Sequence, residues 1–130
     1  MAVMRVIIMT HDVERQARLR VFLGDRGYEL SIPLDRKTLL SSMKEATPHV
    51  LVLDLYAADP GAVEILRSVR AEGYRGKVVV LAGPSTSAAL SECWKFGIDQ
   101  VVGGLQATGG AFDPGRVEVA IRAAFEKEVA

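Results

Sequence analysis

An aspartate, Asp54, closes a run that is otherwise wholly apolar, Val50-Leu51-Val52-Leu53. A second apolar run, Val6–Met9, opens directly onto Thr10-His11-Asp12. These are the residues whose types could do chemistry. A carboxylate at a strand end can hold a divalent cation or act as a nucleophile. A histidine beside an aspartate can hold a metal or carry a proton. A metal site needs three or more protein ligands, and here only His11, Asp12 and Asp54 fall within range. His49 is placed at the opposite end of its strand. The simpler expectation is a His11 hydrogen-bonded to Asp54 or to solvent. Once protonated, it would stand beside Asp54 as a cation.

Other candidates carry weaker chemistry. Gly103-Gly104 and Gly109-Gly110 lack both the dinucleotide and the P-loop spacing, so they read as loop glycines. Thr10-His11-Asp12 has one hydroxyl and no glycine, which is a poor cradle for a flavin phosphate. The chain holds one cysteine, Cys93, which cannot form an internal disulfide. No base lies near it in sequence, so a nucleophilic role is disfavoured. Cys93 and Trp94 read as packing on a helix, with an interaction patch as the alternative.

The elements that must position these residues follow from periodicity. Short apolar runs at Val6–Met9, Tyr28–Ile32, Val50–Leu55, Val78–Leu81 and Val101–Val102 predict five strands. Runs apolar at every position suit strands covered on both faces. Five helical segments alternate with them. The first spans about Asp12 to Arg26, with Leu19, Phe22 and Leu23 inward and Gly27 as its stop. The second follows Pro33 and Asp35, with Leu39, Leu40 and Met43 inward, and ends at Thr47-Pro48. The third opens at Asp59-Pro60, with a stripe of Ala62, Ile65, Leu66 and Val69, and stops at Gly73. The fourth runs from Ser85–Ser87 to Gly97, with Leu90, Cys93 and Trp94 inward. The fifth opens at Asp113-Pro114 and carries Val117, Ala120, Ile121 and Ala124. The reading is one α/β domain over residues 1–130, a doubly wound parallel sheet in the flavodoxin-like order 2-1-3-4-5. Its crevice lies beyond the strand ends, where Thr10, His11, Asp12, Asp54, Ala82, Gly83, Gly103 and Gly104 gather.

Sixteen basic and sixteen acidic residues in 130 leave no net field toward nucleic acid or a membrane surface. The first apolar run is too short to span a bilayer and no signal-peptide layout follows it, so a cytoplasmic location is expected. No helix-turn-helix lies within the chain, so any control of transcription would pass through a partner or a longer chain.

In order and spacing, these segments resemble the receiver domain of bacterial response regulators. Pro48 through Leu55 resembles the strand bearing the family's phospho-accepting aspartate. Lys77 through Ala82 and Phe96-Gly97-Ile98-Asp99-Gln100-Val101 resemble its later units. The resemblance implies that Asp54 is the candidate phosphoacceptor. It also shows what has been replaced. The family's acidic pair, which holds Mg²⁺ and offsets the charge of an entering phosphoryl group, falls on Thr10 and His11. Asp12 is one position late; only if it reached Asp54 would the two form a residual Mg²⁺ site. The family's switch hydroxyl falls on Ala82. Its lysine falls on Gly104, its next proline on Leu105, and its proline after the acceptor on Ala58.

What the resemblance implies is therefore a degenerate receiver, a pseudo-receiver. It would be no enzyme, would need no cofactor, and would act as a signalling module without dependence on phosphorylation. Partners would be a protein, with a histidine kinase among the candidates, or a second copy, docking through helix 4, strand 5 and helix 5. Trp94, Val101 and Leu105 are the residues proposed for that surface. Two alternatives stand beside it: a working but atypical phosphoacceptor on Asp54, and a small-ligand binder using the crevice between strands 1 and 3.

Overall fold

Strands apolar at every position can be stable only when both of their faces are covered, and this requirement organises the molecule. The computed structural model describes residues 3–56, 61–106 and 112–126. The strands are β1 (Arg5–Met9), β2 (Glu29–Ser31), β3 (Val50–Asp54), β4 (Lys77–Leu81) and β5 (Gln100–Val102). The helices are α1 (Val13–Asp25), α2 (Arg36–Glu45), α3 (Ala62–Ala71), α4 (Ser87–Trp94) and α5 (Pro114–Glu126). All strand pairs are parallel, in the order β2-β1-β3-β4-β5. This is the doubly wound order expected from the alternation of strands and helices.

Successive side chains on a strand point to opposite faces, and the two cores follow that rule. Leu51 and Leu53 of β3 pack with Ile7, Met9, Val78 and Val80 against α2, α3 and α4. Val50 and Val52 pack with Val6, Ile8, Val79 and Leu81 against Leu19 and Leu23 of α1 and Val117 and Ile121 of α5. Each large aliphatic side chain so buried contributes roughly 1.5–3 kcal/mol. By the same alternation Asp54 faces the α1/α5 layer, as Val50 and Val52 do. That parity decides which helix can reach it.

The helix boundaries hold to within a few residues of the sequence reading, with two differences. The fourth helix is shorter than expected. Pro84–Thr86 forms a 3-10 turn, in which Thr86 Oγ1 donates to the Gly83 carbonyl and accepts from the Gly83 N–H, and α4 proper begins at Ser87. Trp94, expected to point inward, is 53% exposed, while Cys93 beside it is fully buried. An eight-residue helix turns only one narrow stripe inward, and adjacent residues on a helix diverge by about 100°. The predicted start of the third helix at Asp59-Pro60 lies outside the described residues, as do Ala58 and Gly109-Gly110; within them α3 begins at Ala62 behind Gly61. Its stripe of Ala62, Ile65, Leu66 and Val69 is buried throughout. No helix among the described residues is long and apolar enough to cross a membrane.

Candidate functional site

Asp54 sits at the carboxyl end of the central strand with no exposed surface. A carboxylate taken out of water needs donors on its oxygens. It has three. The Thr10 hydroxyl donates to Oδ2 at 2.8 Å, and the Tyr56 backbone N–H donates to Oδ1 at 2.9 Å. The third is the Arg15 guanidinium, whose Nη1 donates to Oδ2 at 2.8 Å. This is a buried ion pair, its two side chains 4% and 0% exposed.

Each partner is held by local structure. Thr10 follows β1, and its carbonyl accepts from Gln16 Nε2 while its hydroxyl accepts from the Asp12 N–H. Asp12 is the N-cap of α1: its Oδ1 accepts from the Arg15 N–H at 2.9 Å. An aspartate there satisfies one of the free N–H groups of the first turn. The cap fixes the start of α1, and Arg15, Leu19 and Leu23 then fall on one inward stripe. Arg15 is the polar end of that stripe.

The guanidinium has further acceptors. Its Nη2 donates to the Gln106 carbonyl, and its carbon lies 5.7 Å from the centre of the Tyr56 ring, within the range of a cation–π contact. The Tyr56 hydroxyl donates to the Leu105 carbonyl at 3.1 Å. Gly83 closes the pocket from β4. A Cβ built on it would lie 1.9 Å from the Leu105 carbonyl oxygen and 2.1 Å from the Tyr56 hydroxyl, so no side chain fits there.

Several expectations are corrected. His11 does not face Asp54: it is exposed, and its Nε2 lies 3.3 Å from the Leu34 carbonyl. The cation beside Asp54 is Arg15, which sequence reasoning missed. Asp12 is close in sequence, but its carboxylate serves the helix cap. Leu105, assigned to a docking surface, is 4% exposed and packs in the α1/α5 core. Ala82 packs in the opposite core, with its N–H donating to the Val102 carbonyl. Gly104 follows β5 with a φ of +79°, a left-handed conformation that a lysine would adopt only under strain. Of the crevice residues, Thr10 meets Asp54 directly, while Gly83 lies beside Leu105 and Tyr56.

Mg²⁺ does not fit this donor set. It requires oxygen ligands in a near-octahedral arrangement. Here a guanidinium already lies 2.8 Å from one Asp54 oxygen and would repel a second cation. Among the described residues, no group of three or more His, Cys, Asp or Glu side chains could hold a metal. The Cys93 thiol is pushed up to about 11 by burial and then by the charge of Glu92, which keeps it protonated and unreactive.

The chain matches no protein-family model and no curated protein. Its fold is that of solved receiver domains. The chemotaxis response regulator CheY4 of Vibrio cholerae aligns over 95% of this chain and 99% of its own, at 18% identity and a TM-score of 0.77. The receiver domain of the TMAO respiratory response regulator TorR gives 17% identity and a TM-score of 0.79, covering 95% and 98%. FixJ-N gives 23% identity and a TM-score of 0.75, covering 97% and 96%. Against a longer NtrX chain from Brucella abortus, this chain spans 30% of the length.

Proposed function

We propose that the chain is a receiver-type signalling module whose conformation does not depend on phosphorylation of Asp54. The observation that carries this reading is the buried Arg15–Asp54 pair. A phosphoacceptor carboxylate must expose an oxygen to the donor and have a cation to offset the incoming charge. Asp54 offers no exposed oxygen, and its charge is already balanced by a side chain of the chain itself. The positions of the family's acidic pair hold Thr10 and His11, and those of its switch hydroxyl and lysine hold Ala82 and Gly104. A phosphoryl group there would have no reporting group.

Output then comes from docking a partner protein or a second copy on α4, β5 and α5. Trp94 of α4 and Val119 of α5 are 53% and 68% exposed. Gln100, Val101, Arg116 and Val119 border a shallow depression of about 330 Å³ on that side. Val101 is half-buried, and Leu105 is excluded from the surface by its burial.

The test is incubation with a small phosphodonor such as acetyl phosphate and Mg²⁺, followed by intact-protein mass. No acid-stable or acid-labile adduct is expected. An adduct that disappears in Asp54→Asn would overturn the reading and favour the atypical phosphoacceptor.

A further inference from the structure

A guanidinium is a rigid planar fork whose N–H groups point in fixed and different directions. Arg15 uses that shape. One arm reaches the end of β3 at Asp54, and the other reaches past the end of β5 to the Gln106 carbonyl. We propose that Arg15 is a latch: it fastens Leu105 and Gln106, just after β5, to the strand-end carboxylate with an internal cation in place of a ligand. The proposal goes beyond the functional reading above, because it concerns what holds Leu105 and Gln106 and not whether Asp54 accepts a phosphoryl group.

The latch has a second point of attachment. Tyr56 lies under the guanidinium, takes its register from Asp54 through its own N–H, and donates its hydroxyl to the Leu105 carbonyl. Two successive carbonyls, Leu105 and Gln106, are thereby held by two side chains that both depend on Asp54. The Leu105 N–H donates to the Ala82 carbonyl at 3.0 Å, which joins the same segment to β4. Gly83 leaves the room that the Leu105 carbonyl and the Tyr56 hydroxyl occupy. Three parts of the chain therefore meet at Arg15, the first turn of α1, the end of β3 and the segment after β5, and Leu105 ties the last of these to the end of β4. A lysine would supply the charge to Asp54, but its donors radiate from one nitrogen, whereas the guanidinium serves Asp54 and the Gln106 carbonyl from two separate ones.

Release of the segment requires breaking the Arg15–Gln106 and Tyr56–Leu105 hydrogen bonds, and removing the groups that orient those two donors should make both weaker. The test is residue-resolved amide exchange by NMR on the full chain. Arg15→Met alone leaves a buried, unpaired Asp54, so the deciding variant is Arg15→Met/Asp54→Leu, which removes both charges. With the hydrogen bond from a charged group gone, the Leu105 amide should exchange about tenfold faster or more. Core amides of β1 and β3 should keep their wild-type protection. Tyr56→Phe should give a smaller acceleration at Leu105 and leave Arg15 on Asp54. Leu105 protection unchanged in the double variant, with the core intact, would overturn the latch. It would do so whatever the phosphodonor experiment shows. A double variant whose core amides also lost protection would overturn it too, because Arg15 would then be holding up the whole fold and not one segment.

Discussion

Two ionic clusters flank α1, and they are built differently. At its first turn, Arg15 meets Asp54 with both side chains nearly sealed from water, 4% and 0% exposed. At its C-cap, Arg26 pairs with Glu118 of α5 at 2.5 Å, and Arg122 joins from α5 at 3.4 Å. There the carboxylate is 8% exposed, but the two arginines are 46% and 62% exposed. Tyr28 adds a hydrogen bond to Glu118. Both clusters tie α1 to its neighbours. In the first, neither charge can fall back on water, so the pair dictates geometry. In the second, each arginine can return to solvent, so the cluster adjusts stability in small steps. The lesson is that an ion pair's influence on structure depends on what its partners would do without it.

The largest effect expected is from Arg15→Met, which strands a buried carboxylate. Breaking such a pair costs about 3–5 kcal/mol, read as a lower urea midpoint at neutral pH. Removing both charges in Arg15→Met/Asp54→Leu should bring stability back to within about 1 kcal/mol of wild type or above it. A double variant as unstable as the single one would break the comparison, because Arg15 would then contribute through something other than its charge.

Gly83→Ala comes next. Its Cβ would overlap the Leu105 carbonyl and the Tyr56 hydroxyl, and forcing atoms into a filled space costs about 1–3 kcal/mol. The shifts in an amide spectrum should centre on Tyr56 and Leu105. At the second cluster, Arg26→Ala should cost only about 0.2–1 kcal/mol, read the same way.

The smallest effect is one of pH. Burial alone would raise the Glu118 carboxyl, but hydrogen bonds from Arg26 and Tyr28 and the charges of both arginines outweigh it and hold the group below its ordinary value of 4.5. A carboxyl lowered in the folded state contributes fully above its ordinary value and loses that contribution as pH falls through the folded one. Glu118→Gln should therefore lower the urea midpoint at neutral pH and make little difference once the pH is below that range. An equal loss at both pH values would show that the charge is not what Glu118 supplies.

Much of this was legible in the residues. The apolar runs gave five strands, and the alternation along Val50 to Asp54 already sets Asp54 on the face of Val50 and Val52. The stripe of α3 could be read from spacing alone. Trp94 could not, because a short helix leaves its inward direction to be chosen by packing. His11 drew attention by its chemistry, yet its neighbour Leu34 comes from a loop whose path no periodicity fixes. Arg15 does carry a signal in the sequence: it lies four residues before Leu19 and eight before Leu23, on the inward stripe, where a charge is seldom found without a buried partner. Tyr56 carried none, since it acts through a turn after β3 and a hydroxyl that meets a distant loop.

The central claim is that Arg15 already occupies the charge-balancing role beside Asp54. Titration with Mg²⁺ and beryllofluoride, a mimic of the acyl phosphate, followed by amide NMR shifts, tests it most directly. The account predicts no shifts at Asp54, Tyr56 or Ala82. Saturable shifts centred on Asp54 and spreading to Ala82 and α4 would contradict it, because cation and anion would then have displaced the guanidinium.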